Sequence, residues 1–210
     1  MGEPPTVYLI EDDASVRDSI ALMLGLAGYR TALFADAESF LAAVRGEAGG
    51  CVLTDLRLPG LSGLELQAEL RARGIRLPVI VITAHGDVAS ARRAFLAEAV
   101  DFIEKPFEEE PLRAAIEAAL AREREHRARE EARRADAARL AALTAREREV
   151  LEQAALGLHA KEIARALGIS PRTVEVHKTR IMAKLGVRNV AELVRFALAA
   201  GSGERPRRTG

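Results

Sequence analysis

The sequence predicts a five-stranded, doubly wound parallel α/β domain, then a long helix, then a small all-α domain. Three observations carry this. Short apolar runs alternate with helical patterns through the first 120 residues, an Ala/Arg/Glu-rich stretch follows, and four short capped helical segments come after it. Near-continuous apolar strands separated by helices fit a parallel sheet covered on both faces, with right-handed crossovers.

The first strand is TVYLI at 6–10, followed by Val16, Ile20, Leu24 and Ala27 at helical spacing and closed by Gly28. RTALF at 30–34 is the second strand, and 36–45 is a helix carrying Phe40, Leu41 and Val44. CVLTD is the third strand, and 63–73 a helix with Leu64, Leu66 and Leu70. PVIVIT at 78–83, a helix near 87–97, VDFIE at 100–104 and a helix opening at Glu108 complete five βα repeats. The stretch AREREHRAREEARRADAARL from 121 favours helix but offers a weak apolar face, so it reads as an extension of the preceding helix and a linker. It lacks the clean apolar heptads of a coiled coil.

Residues 144–199 read as four short helices. Thr144 and Glu147 form a capping-box pattern, and Gly157 ends the first helix. AKEIARALG is the second, closed by Gly168. The third has Ser170 as N-cap, Pro171 at its first position and Gly186 after it. NVAELVRFALAAG is the fourth, and SGERPRRTG reads as a disordered tail.

The net charge of zero hides a division: residues 1–120 hold 11 Lys/Arg against 19 Asp/Glu, and residues 139–210 hold 14 against 7. An acidic half joined to a basic half suggests modules with different partners, nucleic acid being the usual one for the basic half, although a basic face is often only a solvated one. The single cysteine, Cys51, excludes an intrachain disulfide and a cysteine-type metal site, and its place in a strand reads as core. The start MGEPPTVYLIEDD lacks a signal-peptide pattern, and no stretch approaches the roughly 20 apolar residues of a membrane span, so a soluble cytoplasmic chain is expected.

Ligands of an open α/β sheet bind beyond the carboxyl ends of its strands. There the sequence places Glu11 and Asp12, Asp55, Thr83 and Lys105. Close carboxylate pairs repel by roughly 4 kcal/mol at an effective dielectric of 20. Such a group needs a proton or a cation, and oxygen ligands in an open site favour Mg²⁺ over Ca²⁺, with waters retained. Taken singly, Asp13 reads as the cap of the first helix, Lys105 as a surface lysine and Asp55 as a turn cap. Their convergence on one sheet edge is the stronger signal.

VYLIEDD, LTDLRLPGLSG, VITAHGD and VDFIEKPF resemble the receiver domain of two-component response regulators, over residues 5 to about 122. The resemblance implies a flavodoxin-like fold and Asp55 as phosphoacceptor from a sensor histidine kinase. It further implies Mg²⁺ held by Glu11, Asp12, Asp55 and the Arg57 backbone carbonyl, a switch made of Thr83, Phe102 and Lys105, and a cis bond before Pro106. Glu11 stands where the family usually has Asp, and its longer side chain bears on the cation geometry. The strand fixes the nucleophile, and the loop with Pro59, Gly60 and Gly63 leaves its oxygens open to in-line attack.

LTAREREVLEQAALGLHAKEIARALGISPRTVEVHKTRIMAKLGV resembles the LuxR-type helix-turn-helix domain, over residues 140 to about 200. Two short helices separated by LGIS support this independently, with the helix-turn-helix proper from Ala160 to Thr179. Candidates for DNA contact are Arg172, Thr173, Glu175, Val176, Lys178, Thr179 and Arg180. Val174, Ile181, Met182 and Leu185 read as core. Glu175 accepts from cytosine or pairs with an arginine, and His177 is packed or reaches a phosphate. Ala160 stands where the family commonly has Asn. FIEKPF and ISPRTVEVH together resemble the FixJ-like branch of these regulators.

Phosphorylation is then expected to draw Thr83 and Lys105 inward and to repack Phe102. The face formed by the 87–97 helix, the fifth strand and the helix after it would shift, giving a homodimer on double-stranded DNA or release of the DNA-binding domain. RNA polymerase is a further partner, and no membrane is expected. The predicted organisation is receiver 1–120, helical linker 121–139, DNA-binding domain 140–203 and tail 204–210. The chain is expected not to be an enzyme: an aspartyl-phosphate phosphatase would want a second Asp two residues after the nucleophile, where Arg57 stands. A receiver-like half that only dimerises, or a small-ligand sensor, are further alternatives. The complete set of strand-end groups speaks against the first and the compact sheet against the second.

Overall fold

A computed structural model describes residues 5–44, 48–84 and 101–201. The helix expected near 87–97 and the tail expected at 204–210 lie outside these residues. The first 127 residues and the remainder form two compact units.

In the first unit the strands are β1 (Thr6–Ile10), β2 (Arg30–Phe34), β3 (Gly50–Asp55), β4 (Val79–Ala84) and β5 (Asp101–Lys105). They form one sheet in the order β2-β1-β3-β4-β5, and every pairing is parallel. The helices between them are α1 (Ala14–Leu26), α2 (Ala37–Ala43) and α3 (Gly63–Ala72), and α4 (Glu109–Ala141) follows β5.

The period-two alternation of a strand divides the core between the two faces of the sheet. Val7, Leu9, Cys51, Leu53, Ile80 and Ile82 pack with Ile20 and Leu24 of α1 and Leu112, Ile116 and Leu120 of α4. Ile10, Val52, Val79 and Val81 pack with Phe40 of α2 and Leu66 and Leu70 of α3. β3, flanked on both sides, is buried along its whole length. Burial pushes the Cys51 thiol up to about 12, as expected of an inert core residue.

Helix starts follow the residues that satisfy their free N–H groups. Asp13 Oδ1 accepts from the amides of Ser15 and Val16, at 2.8 and 3.1 Å, so Asp13 is the cap of α1. Ser62 and Glu65 form a reciprocal capping box at the start of α3. α4 runs without a break from Glu109 to Ala141, through the stretch read as a linker.

The second unit contains α5 (Ala145–Ala155), α6 (Ala160–Leu167), α7 (Pro171–Leu185) and α8 (Val190–Gly201). Leu143, Val150, Leu151, Ile163, Val174, Ile181, Leu185 and Leu193 form its core. Thr144 caps α5 with Glu147 reciprocating, Gly168 and Gly186 close α6 and α7, and Ser170 caps α7 ahead of Pro171. The start of α6 is only half capped. Glu162 Oε2 accepts from the His159 amide at 2.7 Å, while the His159 side chain makes no capping bond.

Candidate functional site

The parallel register builds the first site. Ile10 pairs with Thr54, which sets the following residues, Glu11 and Asp55, side by side at the carboxyl edge of the sheet. Ala84 pairs with Lys105 on the far strands of the same edge. The Lys105 ammonium lies between the two acids, 2.6 Å from Glu11 Oε2 and 2.5 Å from Asp55 Oδ2. The sequence called for a proton or a cation among these carboxylates, and in this arrangement the chain supplies the Lys105 ammonium.

Burial sets the electrostatics of the group. Glu11 is 2% exposed and its pKa is raised, desolvation outweighing the hydrogen bond from Lys105. Desolvation also opposes the charge on Lys105, but hydrogen bonds to Asp55 and Glu11 outweigh it and raise its pKa. Asp55 Oδ1 accepts from the Arg57 amide at 2.7 Å, so its two oxygens have separate partners. Thr83 is buried on β4 and Phe102 half-buried on β5, packed against the core cluster that includes Phe40 and Leu66. The Lys105–Pro106 bond is cis.

Asp12 is exposed, and among the described residues no three acidic, histidine or cysteine side chains cluster closely enough to hold a metal. Of the ligands expected from the resemblance, Asp12, Asp55 and the Arg57 backbone carbonyl are all oxygen donors. A set of one or two carboxylates with a backbone oxygen fits Mg²⁺, which keeps much of its hydration shell, better than a metal that demands a full protein cage. Glu11, the departure from the family pattern, is turned to Lys105.

Two residues at this edge were not identified from sequence. Arg17 Nη1 donates to the Glu11 carbonyl at 2.6 Å, holding the backbone of the acidic pair from the first turns of α1. Glu38 Oε1 accepts from the Leu61 amide at 3.2 Å, across 23 residues. No local pattern signals either contact.

The second site is the α6–α7 pair. Val174, Ile181 and Leu185 are buried and Met182 half-buried, as their spacing predicts. Arg172, Glu175, Val176, Thr179 and Arg180 are exposed and Thr173 is half-buried, its amide donating to Ser170 Oγ at 3.0 Å. Val176 is 44% exposed. Lys178 departs from the expected exposed face. It is 7% exposed, its ammonium 3.3 Å from Glu175 Oε1. Lying four residues after Val174 and three before Ile181, it shares their face, so its stem covers core while the ammonium reaches out to Glu175. The same contact occupies Glu175 with a lysine, rather than the arginine considered. His177 is half-buried, with Nδ1 buried and unpartnered. Lys161 and Arg165 are exposed one turn apart on α6, cations that sequence reasoning passed over although their spacing is helical.

Two ties fix the core of this unit. Lys184 Nζ donates to Glu147 Oε2 at 2.6 Å and to the Ala142 carbonyl at 3.2 Å, linking α7 to the segment that opens α5. Arg146 Nη2 donates to the Leu167 carbonyl at 2.5 Å, linking α5 to the end of α6.

Residues 7–117 match the family described as response regulator receiver domain, and residues 141–197 match bacterial regulatory proteins of the luxR family. The transcriptional regulatory protein FixJ of Bradyrhizobium diazoefficiens is 46% identical over 93% of this chain and 95% of its own length. The response regulator StyR, solved at low resolution, superposes with a TM-score of 0.85 at 42% identity, covering 93% of this chain and 99% of that one. The receiver domain of the sensor histidine kinase PA1611 of Pseudomonas aeruginosa, solved with a magnesium ion in its active site cleft, is 28% identical. Its TM-score is 0.51, over 56% of this chain and 98% of that one.

Proposed function

Because the chain belongs to the response regulators that carry a receiver domain ahead of a LuxR-type DNA-binding domain, we propose that Asp55 accepts a phosphoryl group from a sensor histidine kinase and thereby controls the DNA-binding unit. The protein is a transcription regulator of a two-component system. The observation that supports Asp55 as acceptor is its place at the end of a fully buried strand, with one carboxylate oxygen facing the Lys105 ammonium.

A carboxylate oxygen of Asp55 attacks the phosphorus of the donor phosphohistidine. The N–P bond breaks, its electrons return to the imidazole nitrogen, and an O–P bond forms to give an acyl phosphate. Lys105 is placed to neutralise the added phosphoryl charge. Asp12, Asp55 and the Arg57 carbonyl would hold Mg²⁺, which supplies charge neutralisation at the transferred oxygens when bound. Thr83, buried on the next strand, is the hydroxyl for the modified group to engage, and Phe102 the aromatic that repacks in response.

The functional regions are the receiver at 1–120, a linker at 121–139 and the DNA-binding domain at 140–203. Arg172, Thr173, Glu175, Val176, Thr179 and Arg180 carry the DNA contact, α7 entering the major groove of double-stranded DNA. Lys178 contributes chiefly through its stem and through Glu175. Phosphorylation favours a homodimer in the cytoplasm, bringing two copies of α7 to half-sites about one helical turn apart, with RNA polymerase as the downstream partner. No helix among the described residues is long and apolar enough to cross a membrane.

The test is DNA affinity before and after treatment with acetyl phosphate and Mg²⁺, with molar mass by light scattering alongside. Tighter binding and a larger mass in wild type but not in Asp55→Asn are expected. Tighter binding at constant mass would replace dimerisation by release of the DNA-binding unit, and unchanged binding would exclude the switch.

A further inference from the structure

The chain between Asp55 and α3, residues 56–62, carries the backbone that borders the phosphoacceptor. Its ends are tightly held. The Leu56 amide donates to the Ile82 carbonyl at 2.7 Å, and the Arg57 amide to Asp55 Oδ1 at 2.7 Å. At the other end the Gly63 amide donates to the Leu56 carbonyl at 3.2 Å, and Ser62 is locked into the capping box of α3. Gly63 fits only because it lacks a side chain: a Cβ there would lie 2.6 Å from the Asp55 carbonyl oxygen.

The middle of the loop is fastened from another element. Glu38, in the first turn of α2, accepts the Leu61 amide on Oε1 at 3.2 Å. Gly60 brings its backbone against the same carboxylate. Its φ is +77°, in the left-handed region, and a Cβ built on it would meet Glu38 Oε1 at 2.4 Å. A hydrogen bond and a close backbone approach thus place one carboxylate on the tip of the loop. The Arg57 carbonyl follows in the chain the amide held by Asp55 and precedes the tip held by Glu38.

We propose that Glu38 is a positioning residue for phosphoryl transfer: by fastening the Gly60–Leu61 tip it fixes the loop that presents the Arg57 carbonyl beside Asp55. The proposal rests on the reading of Asp55 as phosphoacceptor and of the Arg57 carbonyl as a cation ligand. Glu38 touches neither the phosphoryl group nor the cation, so its effect is on how well the loop is pre-organised. Groups that orient metal ligands without binding the metal commonly carry a tenfold or larger effect, but Glu38 is exposed, and a loss of about threefold to tenfold is expected.

The experiment uses full-length wild type, Glu38→Ala, Glu38→Gln and Asp55→Asn. Amide exchange at Leu61 is followed by NMR without cation, Mg²⁺ affinity by chemical-shift titration, and phosphorylation by acetyl phosphate through intact mass. Glu38→Ala should exchange the Leu61 amide faster, weaken Mg²⁺ binding about threefold to tenfold and raise the Mg²⁺ needed for half-maximal rate. The rate at saturating Mg²⁺ should change less. Glu38→Gln keeps an accepting oxygen and should restore most of both. Unchanged Leu61 exchange in Glu38→Ala overturns the clamp. Faster exchange with unchanged Mg²⁺ affinity overturns the positioning role and leaves the clamp purely structural. Failure of the underlying reading looks different: wild type itself would then neither bind Mg²⁺ nor gain a phosphoryl group that Asp55→Asn lacks, and the role of Glu38 would fall with it.

Discussion

The Lys105 ammonium lies 2.5 Å from Oδ2 of Asp55, although 50 residues separate them in the chain. With Glu11 on its other side, the lysine is the cation that lets two adjacent carboxylates share a largely buried sheet edge. Replacing it with methionine leaves two acids facing each other without compensation. Lys105→Met should cost about 1–3 kcal/mol of receiver stability in the absence of divalent cations, less than for a fully buried pair because the lysine is partly exposed. Millimolar Mg²⁺ should recover part of that loss. Urea unfolding of the variant with EDTA and with Mg²⁺ reads both effects, and a cation-independent midpoint would contradict the shared-charge account.

Glu147 gives the second unit a signature in acid. The hydrogen bond from Lys184, then that from the Thr144 amide, lowers its pKa from the ordinary 4.5 to about 2. A carboxylate with a depressed folded-state pKa stabilises the fold above its unfolded pKa, and that contribution is lost as the pH falls towards the folded value. Wild type should therefore exceed Glu147→Gln in stability by a constant margin between pH 5 and 7. The margin should shrink from about pH 4.5 down to about pH 2. Denaturant midpoints for the two proteins across this range test the sign, and a margin that grows in acid would contradict the pairing.

Two apolar residues of α7 should separate stability from DNA recognition. Ile181 is fully buried, and Ile181→Ala should cost about 2–4 kcal/mol through lost transfer energy and the cavity left behind. Val176 is 44% exposed, so Val176→Ala should change stability by less than about 0.5 kcal/mol. If Val176 contacts a base edge, that substitution should still alter operator preference, for instance at a thymine methyl. Thermal unfolding and competition binding on the same samples distinguish the two roles.

Lys178 provides a further contrast with its neighbour Arg180. Each cation that neutralises a phosphate adds close to one unit to the slope of log affinity against log salt. Arg180→Ala should lower that slope. Lys178→Met, which keeps the buried stem, should leave it nearly unchanged.

Much of this architecture was legible because the relevant signals are local. The apolar runs at 6–10 and 30–34 are the observed strands, and Asp13, Thr144 and Ser170 cap helices as their types and spacing predict. The convergence of Asp55, Glu11 and Lys105 on one edge followed from the alternating strand and helix pattern, since a parallel sheet gathers its carboxyl ends on one edge. The burial of Lys178 was not anticipated because its charge suggested surface, while its position relative to Val174 and Ile181 already assigned it to the buried face. What a single sequence does not carry is contact between distant segments. The bond from Leu61 to Glu38 and the tie from Lys184 to Glu147 each depend on how helices settle on a core, and no periodicity encodes them.

The central claim, that Asp55 is the phosphoacceptor, is tested most directly by intact mass after incubation with acetyl phosphate, with and without Mg²⁺. Wild type should gain one phosphoryl group only when Mg²⁺ is present, and Asp55→Asn should gain none. An unmodified wild type, or the same gain in Asp55→Asn, would contradict the account.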